Sequence, residues 1–106
     1  MMTSPATFRV DRFDVPRPAL EPFMARLRIT QRLLDAQDGC RQNLVLLGAE
    51  QGDAIAVVTI VEWAGDDAMA AARAAMQAHY ALEGFDPAAF MRNLGIRPDM
   101  RAYRPA

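Results

Sequence analysis

From Ala54 to Trp63 the chain reads AIAVVTIVEW, with apolar residues at both parities. Ile55, Val57, Thr59, Val61 and Trp63 share one face, and Ala56, Val58, Ile60 and Glu62 share the other. Period-two alternation marks a strand, and a strand apolar on both faces needs two covers. After an AGDD turn the period changes. Met69, Ala72, Met76 and Tyr80 recur at helical spacing, and the many alanines favour helix and let its backbone approach a sheet closely. Asp66 or Asp67 is expected to cap this helix, and Gly84 to end it.

Upstream, Thr7 to Phe13 reads as a first strand, with Phe8 and Val10 on one face and Arg9 and Asp11 on the other. Phe13 and Val15 fall out of phase with Phe8 and Val10, which predicts an end or a bulge near Arg12. Pro16 and Pro18 precede a helix starting near Ala19, where a first-turn proline removes no intrahelical bond. Its stripe is Leu20, Phe23, Met24, Leu27 and Leu34, with Thr30 in the gap and Arg26, Arg32 and Asp35 on other faces. Gly39 suits a left-handed position just past its end. Cys40 to Leu47 reads as a second strand, and GAEQGD, Gly48 to Asp53, as the turn of a hairpin. Asp86-Pro87 starts a short helix carrying Phe90, Met91 and Leu94; Gly95 and Pro98 close it before a last strand, Met100 to Tyr103. Met1 to Ala6 is expected to be a loose leader to a single domain.

This order predicts an α+β fold: a ferredoxin-like split β-α-β unit with a four-stranded antiparallel sheet and both helices on one face. Both helices are needed over Trp63. The face of Ala56, Val58 and Ile60 would then be an apolar patch of several hundred Å², unusual on a monomer. A homodimer formed through the sheet faces is the expected solution.

The 106 residues are 52% hydrophobic and 24% charged, which suits one small globular core. A net charge of −1 offers no field for nucleic acid or an anionic membrane, and neither is expected as a partner. All 12 basic residues are arginine, which excludes Schiff-base chemistry on a lysine. Cys40 is the single cysteine, so an intrachain disulfide and a Cys-based zinc cluster within one chain are both excluded. No apolar run approaches the ~20 residues of a membrane span. With no signal peptide at the N-terminus, the cytoplasm is the expected location.

VTIVEW at Val58 to Trp63, the acidic helix start at Asp66-Asp67 and the passage RLLDAQDGCRQNLVL resemble the antibiotic biosynthesis monooxygenase-like family of dimeric α/β barrels. The resemblance runs from Phe8 to Tyr103. It implies oxygenation without metal or flavin, hence no cofactor: a deprotonated, electron-rich phenol itself donates an electron to O₂. Trp63 matches the family tryptophan at the end of the third strand, and Asn43 is a further match. Haem-degrading relatives use an asparagine on the first strand and an earlier histidine; TFRVDRF has no such asparagine, which disfavours that activity.

Expected binding residues are therefore Trp63 and Asn43, joined by Arg73 through helical geometry. His79 or Tyr80 would manage the proton, since a histidine flanking the stripe can look toward the sheet and titrates near neutrality. Each has a plainer reading. His79 could be tied to a carbonyl, Trp63 could be core, the Asn43 amide could serve the backbone, and Arg73 could lie on a solvated helix face. Met24, Met69, Met76 and Met91 read as adaptable core that could also wall a planar ligand, and Cys40 as inert. The leading expectation is a cofactor-independent monooxygenase acting on a small aromatic, quinol- or anthrone-like compound. The alternative is a non-catalytic ligand-binding or stress-related dimer, which a fully filled helix-sheet interface would favour. A metal- or haem-dependent member is a third.

Overall fold

The computed structural model describes residues 5–106; most of the leader, residues 1–4, lies outside them. The elements are β1 (Thr7–Pro16), a 3₁₀ turn (Arg17–Ala19), α1 (Leu20–Asp35), β2 (Cys40–Gln51), β3 (Ala54–Trp63), α2 (Asp66–Glu83), α3 (Pro87–Asn93) and β4 (Arg97–Tyr103). The strands form one antiparallel sheet in the order β2-β3-β1-β4. Two β-α-β units interleaved in this order are the ferredoxin-like arrangement that the sequence pattern predicts.

β3 runs as expected, and its burial alternates without a break: Ile55, Val57, Thr59, Val61 and Trp63 are buried under the helices. The expected bulge in β1 is absent. β1 pairs with β3 in unbroken register from Thr7 opposite Trp63 to Pro16 opposite Ala54. Arg9 and Asp11 therefore share the helix-covered face with Phe13 and Val15. The irregularities lie in β2 instead, at Cys40/Gln42 and Leu47/Glu50. β2 also runs on through most of the expected turn. The reversal contracts to Gly52-Asp53, with Gly52 at φ +60°. β2 passes Gly48 and Ala49 as an irregularity and resumes pairing at Glu50 opposite Ile55, so the strand absorbs the glycine without reversing.

Helix ends follow the sequence only in part. Asp86 caps α3 by accepting from the Ala89 amide at 3.1 Å, and Gly84 ends α2 in the left-handed region. Neither Asp66 nor Asp67 caps α2; Gly65 holds that position. The Asp66 carboxylate turns away, accepting from Thr7 Oγ1 at 2.5 Å and from Arg104 Nη2 at 2.6 Å. Both aspartates still sit in the first turn, where negative charge suits the helix dipole. Gly39 is left-handed at φ +83°, yet it lies beyond the helix end at Ala36, in the turn into β2.

Apolar burial divides into two clusters on the helix side of the sheet. One gathers Phe13, Val15, Phe23, Leu27, Val57 and Met91; the other gathers Val61, Trp63 and Ala72. The opposite face carries Phe8, Val10, Val58, Ile60, Leu44 and Leu46, and no segment of the described chain lies over it. The Cα envelope is 17 Å in its thinnest dimension, room for one sheet and one helix layer.

Candidate functional site

Between the two apolar clusters, helices and sheet enclose a half-open cleft of about 750 Å³ with a mainly apolar lining. Trp63, Val61 and Thr59 of β3 form its floor, together with Arg9, Asp11 and Phe13 of the neighbouring strand. α1 contributes Phe23, Arg26, Leu27 and Thr30 along one side. The exposed lining residues Arg73, Gln77 and Ala81 of α2, with Met100 of β4, border the opening. A cleft of this size with few polar groups has the character of a small-molecule site.

Trp63 is 3% exposed and faces the cleft, so it serves as core and as wall at once. Asn43 also reaches the lining, from β2. Its Nδ2 donates to the Gln31 carbonyl at 3.1 Å and to Asp35 Oδ1 at 3.0 Å, and its Oδ1 accepts from Gln31 Nε2 at 3.2 Å. Both amide hydrogens are thus spent on fastening β2 to α1; only acceptor capacity remains for a ligand. Tyr80 lies in the lining, its hydroxyl 3.3 Å from Thr30 Oγ1. Arg73 stands at the rim. His79 is not brought to the cleft: its side chain is 43% exposed and Nε2 lies 3.4 Å from Glu83 Oε1. Its ring lies beside Glu83 and Tyr80 of the same helix and is partly open to water. Met69, Met76 and Met91 line the cleft, while Met24 packs in the larger cluster. Cys40 packs beside Trp63 and Val61, and burial, helped by Asp35, pushes its thiol pKa up.

Three charged residues are present that sequence reasoning placed elsewhere. Arg9 Nε donates to Asp11 Oδ1 at 2.8 Å on the floor, with side chains 25% and 17% exposed. Burial raises the Asp11 pKa above the usual aspartate value, and the Arg9 charge opposes that rise without cancelling it. Arg26, expected on an outer face of α1, is only 14% exposed. It grips Glu83 at the end of α2 through both terminal nitrogens, at 2.5 and 2.7 Å. Its guanidinium carbon lies 3.5 Å from the Phe85 ring centre, and its buried Nε has no hydrogen-bond partner among the described residues. Tyr80, Phe85 and Phe90 follow as a chain of tilted aromatic contacts with centroids 5.5 and 5.4 Å apart. A signal for Arg26 existed: three residues from Phe23 and four from Thr30, it borders the inward stripe.

Among the described residues, no three His, Cys, Asp or Glu side chains assemble as a set able to hold a metal ion, and no helix is long and apolar enough to cross a membrane. What the cleft offers chemically is a flat aromatic wall, a sulfur-rich adaptable lining and one ion pair facing the space.

Comparison with protein-family models gives no match, and neither does comparison with curated proteins. Solved structures do match. A dimeric ferredoxin-like protein from an uncultured marine organism aligns with TM-score 0.74 at 12% identity, over 97% of each chain. SnoaB from Streptomyces nogalater, a cofactor-independent oxygenase, aligns with TM-score 0.63 at 20% identity, over 97% of this chain and 95% of its own. A provisionally assigned antibiotic biosynthesis monooxygenase from Deinococcus radiodurans aligns with TM-score 0.68 at 18% identity, over 94% and 92%. The chain thus has the ferredoxin-like fold found in antibiotic biosynthesis monooxygenase-like structures, shared over nearly its whole length.

Proposed function

We propose that this protein is a homodimeric, cofactor-independent monooxygenase acting on a small phenolic compound of the quinol or anthrone type. The observation that carries the proposal is the open cleft beside Trp63, of about 750 Å³, with a polar pair on its floor. A filled helix-sheet interface would have left no room for substrate. The fold shared with SnoaB supports the reaction class.

In this reading the ligand lies flat against Trp63 and the methionines, with Arg73 at the rim and Asn43 Oδ1 as an acceptor. Tyr80 borders the ring edge; His79 has no part in the chemistry from where it stands. Removing the phenolic proton leaves an electron-rich anion that gives one electron to O₂. The radical pair joins through a carbon–oxygen bond at a ring carbon that bears hydrogen. The peroxide anion takes back the proton removed at the start, and breaking the O–O bond with that C–H bond releases water and leaves the quinone carbonyl. The protein's part is to desolvate the anion and stabilise its charge in a low-dielectric space.

The dimer forms by packing two bare sheet faces together. Phe8, Val10, Val58 and Ile60 leave water there, a gain of about 25 cal/mol per Å² before association costs. The dimeric ferredoxin-like neighbour supports this arrangement.

Oxygen uptake is the test. The purified protein in chelator-treated buffer should accelerate O₂ consumption by an anthrone or a naphthoquinol. A Trp63→Ala variant should lose most of the acceleration. Failure across anthrones, quinols and flavonoids removes the reaction class. A ligand-binding dimer without turnover is the second reading, favoured by the commitment of both Asn43 hydrogens to α1 and by the outward turn of His79. Saturable binding without oxygen uptake would select it.

A further inference from the structure

We propose that Asp11 is the proton acceptor for the phenolic ligand and that Arg9 holds the oxyanion so formed, the two exchanging partners in one step. The inference rests on the reading of the cleft as a phenol site.

Geometry comes first. Arg9 pairs in register with Val61, and Asp11 with Thr59. Trp63 lies two residues beyond Val61 on the same face, about 7 Å along the strand. A phenol lying along this face from Trp63 therefore points its hydroxyl toward the Arg9–Asp11 pair, with Arg9 the nearer and Asp11 one pleat further on. Both side chains face the cleft and are partly open to it. Their single mutual contact is Arg9 Nε to Asp11 Oδ1, at 2.8 Å. Among the described residues the Arg9 terminal nitrogens and Asp11 Oδ2 have no other hydrogen-bond partner, so a donor and an acceptor remain for a hydroxyl group.

Charge conservation makes the exchange feasible. Before it, the floor holds guanidinium and carboxylate, with a neutral phenol above. The phenolic O–H bond breaks, the proton bonds to an Asp11 oxygen, and the electron pair stays on the phenolate oxygen. Arg9 then faces the phenolate in place of the carboxylate. The net charge of the desolvated site is zero before and after, so no unpaired charge is created in it. Burial already pushes Asp11 toward its protonated form, which narrows the gap to a phenol.

The other titratable groups facing this space have different work. Arg26 of α1 is committed to Glu83, and the Tyr80 hydroxyl of α2 lies beside Thr30. Arg73 of α2 is exposed at the rim, and Asp86 caps α3. Thr59 of β3 and Met100 of β4, which flank Asp11, do not titrate.

The test uses the full chain and 4-nitrophenol, whose phenolate absorbs visibly, at a pH where the free probe is almost wholly protonated. Binding is followed by equilibrium dialysis. Proton release is followed by calorimetry in buffers of differing ionisation enthalpy. The wild-type protein should show phenolate absorbance from the bound probe with no proton released to buffer. Asp11→Asn, which is isosteric, should either lose that absorbance or retain it with stoichiometric proton release. Arg9→Gln should bind the probe and show no phenolate. Wild-type phenolate accompanied by proton release overturns the proposal, as does Asp11→Asn phenolate without it, or a bound probe that stays neutral. If the probe does not bind at all, the phenol-site reading fails first and takes this inference with it.

Discussion

At the residue scale, Gly39 shows how tightly one position can be set. Its φ of +83° is one that side-chain-bearing residues rarely adopt. A Cβ there would also stand 2.7 Å from the Ala68 Cβ of α2. Its carbonyl accepts from the Ala64 amide at 2.8 Å, tying the α1–β2 turn to the start of α2. Gly39→Ala should cost about 1–3 kcal/mol in urea unfolding; an unchanged midpoint would mean the turn relaxes freely. Arg26 and Glu83 set a pH dependence. The hydrogen bonds from Arg26 hold Glu83 below the usual glutamate range, so the folded chain binds this proton more weakly than the unfolded one. The stabilisation is present above the ordinary value of 4.5 and fades as pH falls through and below it. Asp11 acts with the opposite sign: burial raises its pKa, so its contribution is favourable in acid and is lost as pH rises through the raised value. Glu83→Gln should lower Tm at neutral pH and flatten the loss of Tm between neutral pH and acid. An acid limb as steep as wild type would show that the pair contributes nothing.

At the element scale, β1 separates what could be read from the sequence and what could not. β3, α2 and the cap of α3 were legible because each has one dominant periodicity or a definite capping residue. In β1 the polar Arg9 and Asp11 stand where the inward face would ordinarily be apolar, and that mimics a phase slip. Counting back by twos from Val15 and Phe13 reaches Asp11 and Arg9 with no bulge. Polar residues on an inward face are what a cleft leaves behind, so the site itself disguised the strand that carries it. Arg26 was hidden similarly, because a guanidinium stacked on Phe85 reads as a solvated helix position. His79 was misplaced because its angle on α2 left the direction of the ring open. The Asn43 bolt between β2 and α1 gives a prediction at this scale. Asn43→Ala strips partners from Gln31 and Asp35 and should destabilise by about 1–3 kcal/mol, with only a few-fold loss of ligand affinity from the missing Oδ1 acceptor. Unchanged stability together with a large loss of affinity would instead make Asn43 primarily a ligand residue.

At the scale of the whole molecule, two vacant surfaces shape the account. In the proposed function the cleft receives a ligand and the bare sheet face receives a second copy. The sequence pointed to the bare face, because a strand greasy on both faces lies under a single helix layer and has no other cover among the described residues. A specific dimer would bury about 1,200–2,000 Å² in total. Sedimentation at micromolar concentration should show a dimer, and Val58→Asp combined with Ile60→Asp should yield a monomer with a lower Tm. A wild-type monomer under those conditions contradicts the assembly, though the cleft would remain.

Whether that cleft receives an aromatic ligand is the question under everything else, and Trp63, the single tryptophan, lies in its wall. The direct measurement is titration of its fluorescence with a bicyclic phenol such as 1-naphthol, excited where the phenol absorbs least. Saturable quenching should follow, and Ala72→Phe, which fills the space beside Trp63, should abolish it while the protein remains folded. Emission that stays constant up to the solubility limit, or saturable quenching that survives Ala72→Phe, would contradict the account.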